Sequence, residues 1–177
     1  MTPGGPDLEL VLAAYDGSDE AAAALHWAAA IASRVGSALR VVWAWKVRDV
    51  WDDGVAEHHG DLDALHLPQL AEIADRRLAR AVEEIVPHRG DVQLRLVQGP
   101  DAPGIVLAES AEADLLVMGS RGRGRAATAL LGSTSAWCLR RARCPVLITP
   151  HGLTTPPHHG VGPLAAHAEV ARPQEAL

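Results

Sequence analysis

The chain of 177 residues has no Phe, a single Tyr, two Met and two Cys. With so few large rings, Ala, Val and Leu must fill the interior, which suits Ala-packed helices laid on a Val/Leu sheet. Cys138 and Cys144 are too few for a disulfide framework and fit no zinc spacing, so both read as reduced, structural thiols. Positive charge is scarce as well: 16 Lys and Arg against 22 Asp and Glu give a formal net charge of −6. A general nucleic-acid surface needs a strong positive field, so no nucleic-acid partner is expected. No apolar run approaches the roughly 20 residues of a membrane span, and residues 1–7 lack the basic region of a secretion signal. The expectation is a soluble, cytoplasmic protein with no membrane partner. Its length suits one well-buried domain with some chain left over.

What is present is regularly ordered. Residues 8–14 are an apolar run of strand length that ends at Tyr15, Asp16, Gly17 and Ser18. An Ala-rich helix is expected over 20–35, capped by Ser18 or Asp19, with Leu25, Ala28, Ala29, Ala32 and Val35 facing the core. Gly36 stops it, and residues 39–45 form a second apolar run. Residues 46–68 are polar and acidic, long for a connection in a compact domain, and read as a mobile surface loop. Residues 69–88 form an amphipathic helix in which Leu70, Ile73, Ala74, Ala81, Val82 and Ile85 share a face. Residues 92–97 alternate as a strand near a sheet edge. A short helix over 103–111, a buried strand over 115–118, a helix over 133–143 and a last strand over 146–148 follow. Strands alternating with helices imply a parallel sheet covered on both faces, an α/β fold. Pro, Gly, His and Ala dominate from residue 151, so residues 1–150 read as the domain and 151–177 as a disordered tail.

One stretch carries the chemistry. After Leu115, Leu116, Val117 and Met118, glycines stand at Gly119, Gly122 and Gly132, and Ser133, Thr134 and Ser135 follow at once: G-x2-G-x9-G-S. Glycines let backbone N–H groups approach an anion, and the helix beginning after Gly132 adds N–H donors and a positive dipole end. Arg121, Arg123 and Arg125 lie in the same loop, of which only Arg121 is taken as a phosphate contact. The chain has no G-x-x-x-x-G-K-[ST] phosphate loop. Residues 122–127 fit the relaxed dinucleotide pattern G-x-G-x-x-A, but after the fourth strand and with no acidic partner about twenty positions on.

The full pattern, with Cys144, Pro145, Val146, Leu147 and Ile148 after it, resembles the universal stress protein family. Asp16-Gly17-Ser18, residues 97–103 and residues 113–122 resemble further motifs of that family, so the similarity runs over residues 8–150. The resemblance implies an open, Rossmann-like five-stranded parallel sheet of order 3-2-1-4-5 with helices on both faces. In such a sheet the ends of strands 1 and 4 meet at the point where the strand order reverses, and ligands bind there. From ATP-binding members, the resemblance implies that Asp16 contacts the sugar or base, with Ala14 and Tyr15 beside it. Ala44 would offer backbone groups to adenine, and Met118 and Gly119 would line the ribose side. Gly122, Gly132, Ser133, Thr134 and Ser135 would wrap the phosphates, with Arg121 nearby. The cofactor implied is ATP, alone or with Mg²⁺.

Other features have plainer readings. Trp43 and Trp45 share a strand face and read as packing beneath a helix. The pairs His58-His59 and His158-His159 lack a third ligand at defined spacing and read as solvated residues. Arg140, Arg141 and Arg143 offset the dipole at a helix C-terminus. The function implied is an ATP-binding stress-response and signalling module that answers to a protein partner the sequence does not name. The alternatives are a slow ATP hydrolase that resets its own switch and a nucleotide-free interaction protein. The last strand, with Val146, Leu147 and Ile148, would leave an open edge, and pairing it with a second copy gives a homodimer.

Overall fold

Runs of Val, Leu and Ala make five strands, and the glycines and prolines between them set where each helix begins and ends. A computed structural model describes residues 7–46, 67–87, 92–122 and 130–153. The strands are β1 (Leu10–Ala14), β2 (Ala38–Trp45), β3 (Val92–Gln98), β4 (Leu115–Gly119) and β5 (Val146–Thr149). The helices are α1 (Asp19–Val35), α2 (Leu67–Ile85), α3 (Ala102–Glu109) and α4 (Ser133–Arg141), with a 3-10 turn, Ser110–Glu112, after α3. All strand pairings are parallel, in the order β3-β2-β1-β4-β5, as the family resemblance implies. The acidic stretch 47–66, Arg123, Arg125, both His pairs and residues 154–177 lie outside the described residues.

Successive strand residues point to opposite faces, and both faces are covered, which is why the strands read as unbroken apolar runs. On one face Val11, Ala13, Leu39, Val41, Trp43, Trp45 and Val117 pack against α1 and α2. On the other, Leu12, Val42, Leu116 and Met118 pack against Val106 of α3 and Cys138 of α4. Trp43 and Trp45 are thus core residues beneath helices, as expected. Burial pushes the Cys138 thiol up to about 11, so it carries no thiolate at neutral pH.

The helix ends show where sequence and structure differ. Ser18 caps α1, its hydroxyl accepting from the Ala21 N–H at 3.2 Å, and Gly36 closes it at φ 75°. Leu25, Ala28, Ala29 and Ala32 are buried, but Val35 is 51% exposed. The apolar stripe stops at Ala32, because Gly36 turns the chain away before another helical turn can reach the sheet. Helix α2 starts at Leu67, two residues early, since Pro68 fits a first helical turn where no N–H is required. Its innermost line is Leu70, Ala74, Leu78 and Val82, four residues apart, whereas Ile73, Ala81 and Ile85 are half-buried. Helix α4 stops at Arg141 rather than at residue 143, because Ala142 turns extended (ψ 144°) ahead of Pro145.

Leu78 is fully buried and Val35 is not, which separates two substitutions of similar chemistry. Leu78→Ala is expected to cost about 2–5 kcal/mol in urea unfolding, and Val35→Ala to stay within about 0.5 kcal/mol. Equal midpoint shifts for the two would contradict the placement of α2.

Candidate functional site

The strand order reverses direction of growth between β1 and β4. β1 leads into α1 on one face of the sheet, while β4 leads on to α4 on the other. The connections part there and leave a crevice at the C-terminal ends of the two strands.

Its walls are built by close approach. A Cβ on Gly119 would lie 2.8 Å from Glu20 Cβ and 2.9 Å from the Glu20 carbonyl carbon, so the end of β4 abuts the first turn of α1 with no room for a side chain. A Cβ on Gly122 would lie 2.2 Å from Asp16 Oδ2. The glycine loop and the β1–α1 turn, both singled out in the sequence, therefore touch. Asp16 is held by its own turn: Oδ1 accepts from the Ser18 N–H at 3.0 Å and from Ser18 Oγ at 2.6 Å.

The loop after β4 has a closed neck. The Gly132 N–H donates to the Ser120 carbonyl at 2.7 Å, and the Ser120 N–H donates to Thr149 of β5 at 2.8 Å. A Cβ on Gly132 would sit 3.4 Å from Arg121 Cα, so the two ends of the loop lie side by side. Gly132 is also the N-cap of α4, and no side chain caps that helix. Helix α1 is closed by Ser18 and carries Asp19 and Glu20 in its first turn. Of the two helix starts at the crevice, α4 is the one suited to an anion, because among the described residues its first N–H groups face no capping carboxylate or hydroxyl. Ser133 is exposed and Thr134 half-buried at that start.

The remaining sequence-derived residues fall into two groups. Ala14 and Tyr15 close β1 and Ala44 lies on β2, which runs three residues past its last pairing with β1. The Tyr15 N–H donates to the Val42 carbonyl at 2.9 Å, and the Tyr15 ring stands edge-on to Trp43, centroids 6.3 Å apart. That ring is packed with the α1/α2 side. Met118 and Ser135 lie beneath the crevice: Met118 is 3% exposed in the second core, and Ser135 is 4% exposed. Ser135 Oγ donates to the Gly119 carbonyl at 2.7 Å, which fastens α4 to the end of β4. The sequence grouped Ser135 with the phosphate-facing hydroxyls; its hydrogen instead serves the strand.

Three residues at this end carried no sequence signal. Thr149, 2% exposed, places Oγ1 3.4 Å from the carbonyls of Glu20 and Met118. Glu20 bonds through its carboxylate to the imidazole of His151. The hydrogen bond from His151, reinforced at longer range by Arg121, holds the Glu20 carboxyl below the usual carboxylate range. His151, which the sequence assigned to the tail, is thus tied to α1, and residues 151–153 line a surface hollow together with Asp19, Ala22, Ala23 and His26. Among the described residues no group of three His, Cys, Asp or Glu could hold a metal ion, and no helix is long and apolar enough to cross a membrane.

The universal stress protein family model matches residues 9–150. A universal stress protein of Thermus aquaticus is 36% identical over 148 residues, covering 78% of this chain and 96% of its own length. Relatives in Mycobacterium tuberculosis are longer, and the chain spans 44% and 49% of two of them. A solved universal stress protein in complex with cAMP matches with TM-score 0.56 and 24% identity, over 81% of this chain and 98% of its own. The universal stress protein from Archaeoglobus fulgidus in complex with dAMP matches with TM-score 0.52 and 21% identity, over 80% and 96%. At those identities the likeness is one of fold.

Two measurements test the close approaches. Gly119→Ala is expected to cost about 1–3 kcal/mol in urea unfolding, because the Glu20 backbone must move. A double-mutant cycle between Gly122→Ala and Asp16→Ala should show a coupling of at least about 0.5 kcal/mol. Strict additivity would mean that the two residues do not meet.

Proposed function

Because the chain belongs to the universal stress protein family, we propose that it binds ATP in the crevice between β1 and β4 and serves as a nucleotide-dependent module in a stress response. The observation that carries this reading is the contact of Asp16 with Gly122 beside the uncapped start of α4. It gives one crevice a carboxylate end and an anion end. Asp16 would hold the sugar or base, with Ala14, Tyr15 and Ala44 alongside and Gly119 and the buried Met118 as the floor. Gly122, Gly132, Ser133 and Thr134 would meet the phosphates through N–H and hydroxyl donors, and Arg121 would add a positive charge. Ser135 would keep the Gly119 carbonyl turned inward, away from the incoming anion. The glycine at 122 suits the reading, since a Cβ there would collide with the Asp16 carboxylate that is to meet the sugar or base. The cAMP and dAMP complexes of two proteins of like fold support an adenine nucleotide of this class.

Occupancy would change the surface around Gly122 and Gly132, which a protein partner could recognise. The edge strand β5, through Val146, Leu147 and Ile148, would pair with a second copy to form a homodimer. Mg²⁺ would accompany the polyphosphate.

Calorimetric titration with ATP tests the proposal directly. Gly122→Glu, which places bulk and a second negative charge against Asp16, should weaken ATP at least about 100-fold, with the unfolding midpoint, lowered by that contact, measured to show that the variant still folds. Wild-type affinity in that variant, or no ATP binding by the natural chain, sinks the proposal.

A further inference from the structure

Between Asp114 and Glu169 the sequence holds six Arg and no Asp or Glu, although the chain as a whole carries a formal net charge of −6. Three of those arginines, Arg140, Arg141 and Arg143, crowd the C-terminal end of α4 and are exposed. The dipole at a helix C-terminus amounts to about half a negative charge, so three guanidinium groups overshoot it and leave a surplus of positive charge. Among the described residues neither Arg140 nor Arg143 has an ion pair. Ser135 and Cys138 are the buried side of α4, and away from them Trp137, Arg140 and Arg141 share one face at i, i+3 and i+4 spacing. Trp137 is 40% exposed and Leu139, on the flank of that face, 49%. The Arg141 guanidinium lies 3.6 Å from the centroid of the Trp137 ring.

We propose that this face of α4 is a docking surface for an acidic segment of a partner protein, one that carries an apolar side chain among its carboxylates. Charge complementarity selects the partner: its carboxylates meet Arg140, Arg141 and Arg143, and its apolar residue lies against the exposed indole and Leu139. The Trp137 ring holds the Arg141 fork in one plane and leaves its edge N–H groups to a carboxylate, so binding costs less side-chain freedom than at a lone arginine. Trp and Arg are also among the side chains that most often anchor protein interfaces. Two other occupants fit less well. A second copy laid face to face would set three arginines against three. A nucleic acid draws its affinity from many phosphate contacts, whereas the nine residues of α4 span only about 13 Å in a chain of negative net charge. The surface uses no residue assigned to the nucleotide, so it stands apart from that reading.

The test is fluorescence anisotropy of a labelled peptide of Glu and Asp with one central Leu, titrated with the full chain at low salt. Binding should weaken at least about tenfold in the double variant Arg140→Glu/Arg143→Glu. It should weaken at least about threefold in Trp137→Ala, and Trp137→Phe should restore part of that loss. A peptide with Gly in place of the central Leu should also bind less tightly, which attraction between charges alone would not produce. The substituted side chains are all exposed, so unfolding midpoints near that of the natural chain are expected and show that the variants fold. No peptide binding by the natural chain, equal binding by the variants, or indifference to Trp137 and to the central Leu overturns the proposal. Tighter binding of a single-stranded oligonucleotide or of phosphatidylglycerol vesicles, abolished by the same substitutions, overturns it as well.

Discussion

The crevice depends on one steric constraint, the absence of a side chain at Gly119. The last residue of β4 lies against the Glu20 backbone so closely that a methyl group would stand 2.8 Å from Glu20 Cβ. This contact brings the start of α1 onto the end of a neighbouring strand, and the other close approaches follow from it. Asp16, a few residues before Glu20, is carried to within reach of Gly122. Thr149 is drawn under the Glu20 carbonyl, and Ser135 ties α4 back to the Gly119 carbonyl. Packed interiors transmit such displacements because there is little free volume to absorb them.

The two helices that begin at the crevice are finished in opposite ways. The start of α1 is capped by the Ser18 hydroxyl, itself held by the Asp16 carboxylate, with two acidic residues in its first turn. The start of α4 has a glycine cap and, among the described residues, no side-chain partner. Electrostatic polarity across the site thus comes from capping chemistry as much as from Arg121.

Much of this was legible in the sequence, for identifiable physical reasons. Parallel strands buried on both faces write themselves as unbroken apolar runs, so β1, β2, β4 and β5 were visible as strands. The alternation of Val92, Leu94 and Leu96 with Gln93 and Arg95 marked β3 as an edge. Strand order was not written in those runs and came through family resemblance. Helix limits were less legible, because Val35 continues an apolar stripe that the structure has already left at Ala32, and Pro68 resembles a breaker where it serves as a starter. At the site, Asp16 and the glycines were found because backbone geometry demands those residue types. The inward turn of Ser135 was invisible, since a hydroxyl reads alike whether it faces strand or solvent. Glu20 and His151 were missed because their contact crosses 131 positions, and a histidine beside a Pro- and Gly-rich end gives no periodic signal.

The neck between Ser120 and Gly132 carries one more consequence. Because the 2.7 Å bond from Gly132 to Ser120 holds the two ends of the loop together, the chain between them is a closed circuit with fixed terminals. The entropy of closing such a circuit grows only slowly with its length, about 0.6 kcal/mol for each doubling. A change in the number of residues between the two ends is thus a small entropic term as long as that bond stays closed. Relatives of this architecture could differ in length between these two points without redesigning the floor of the crevice.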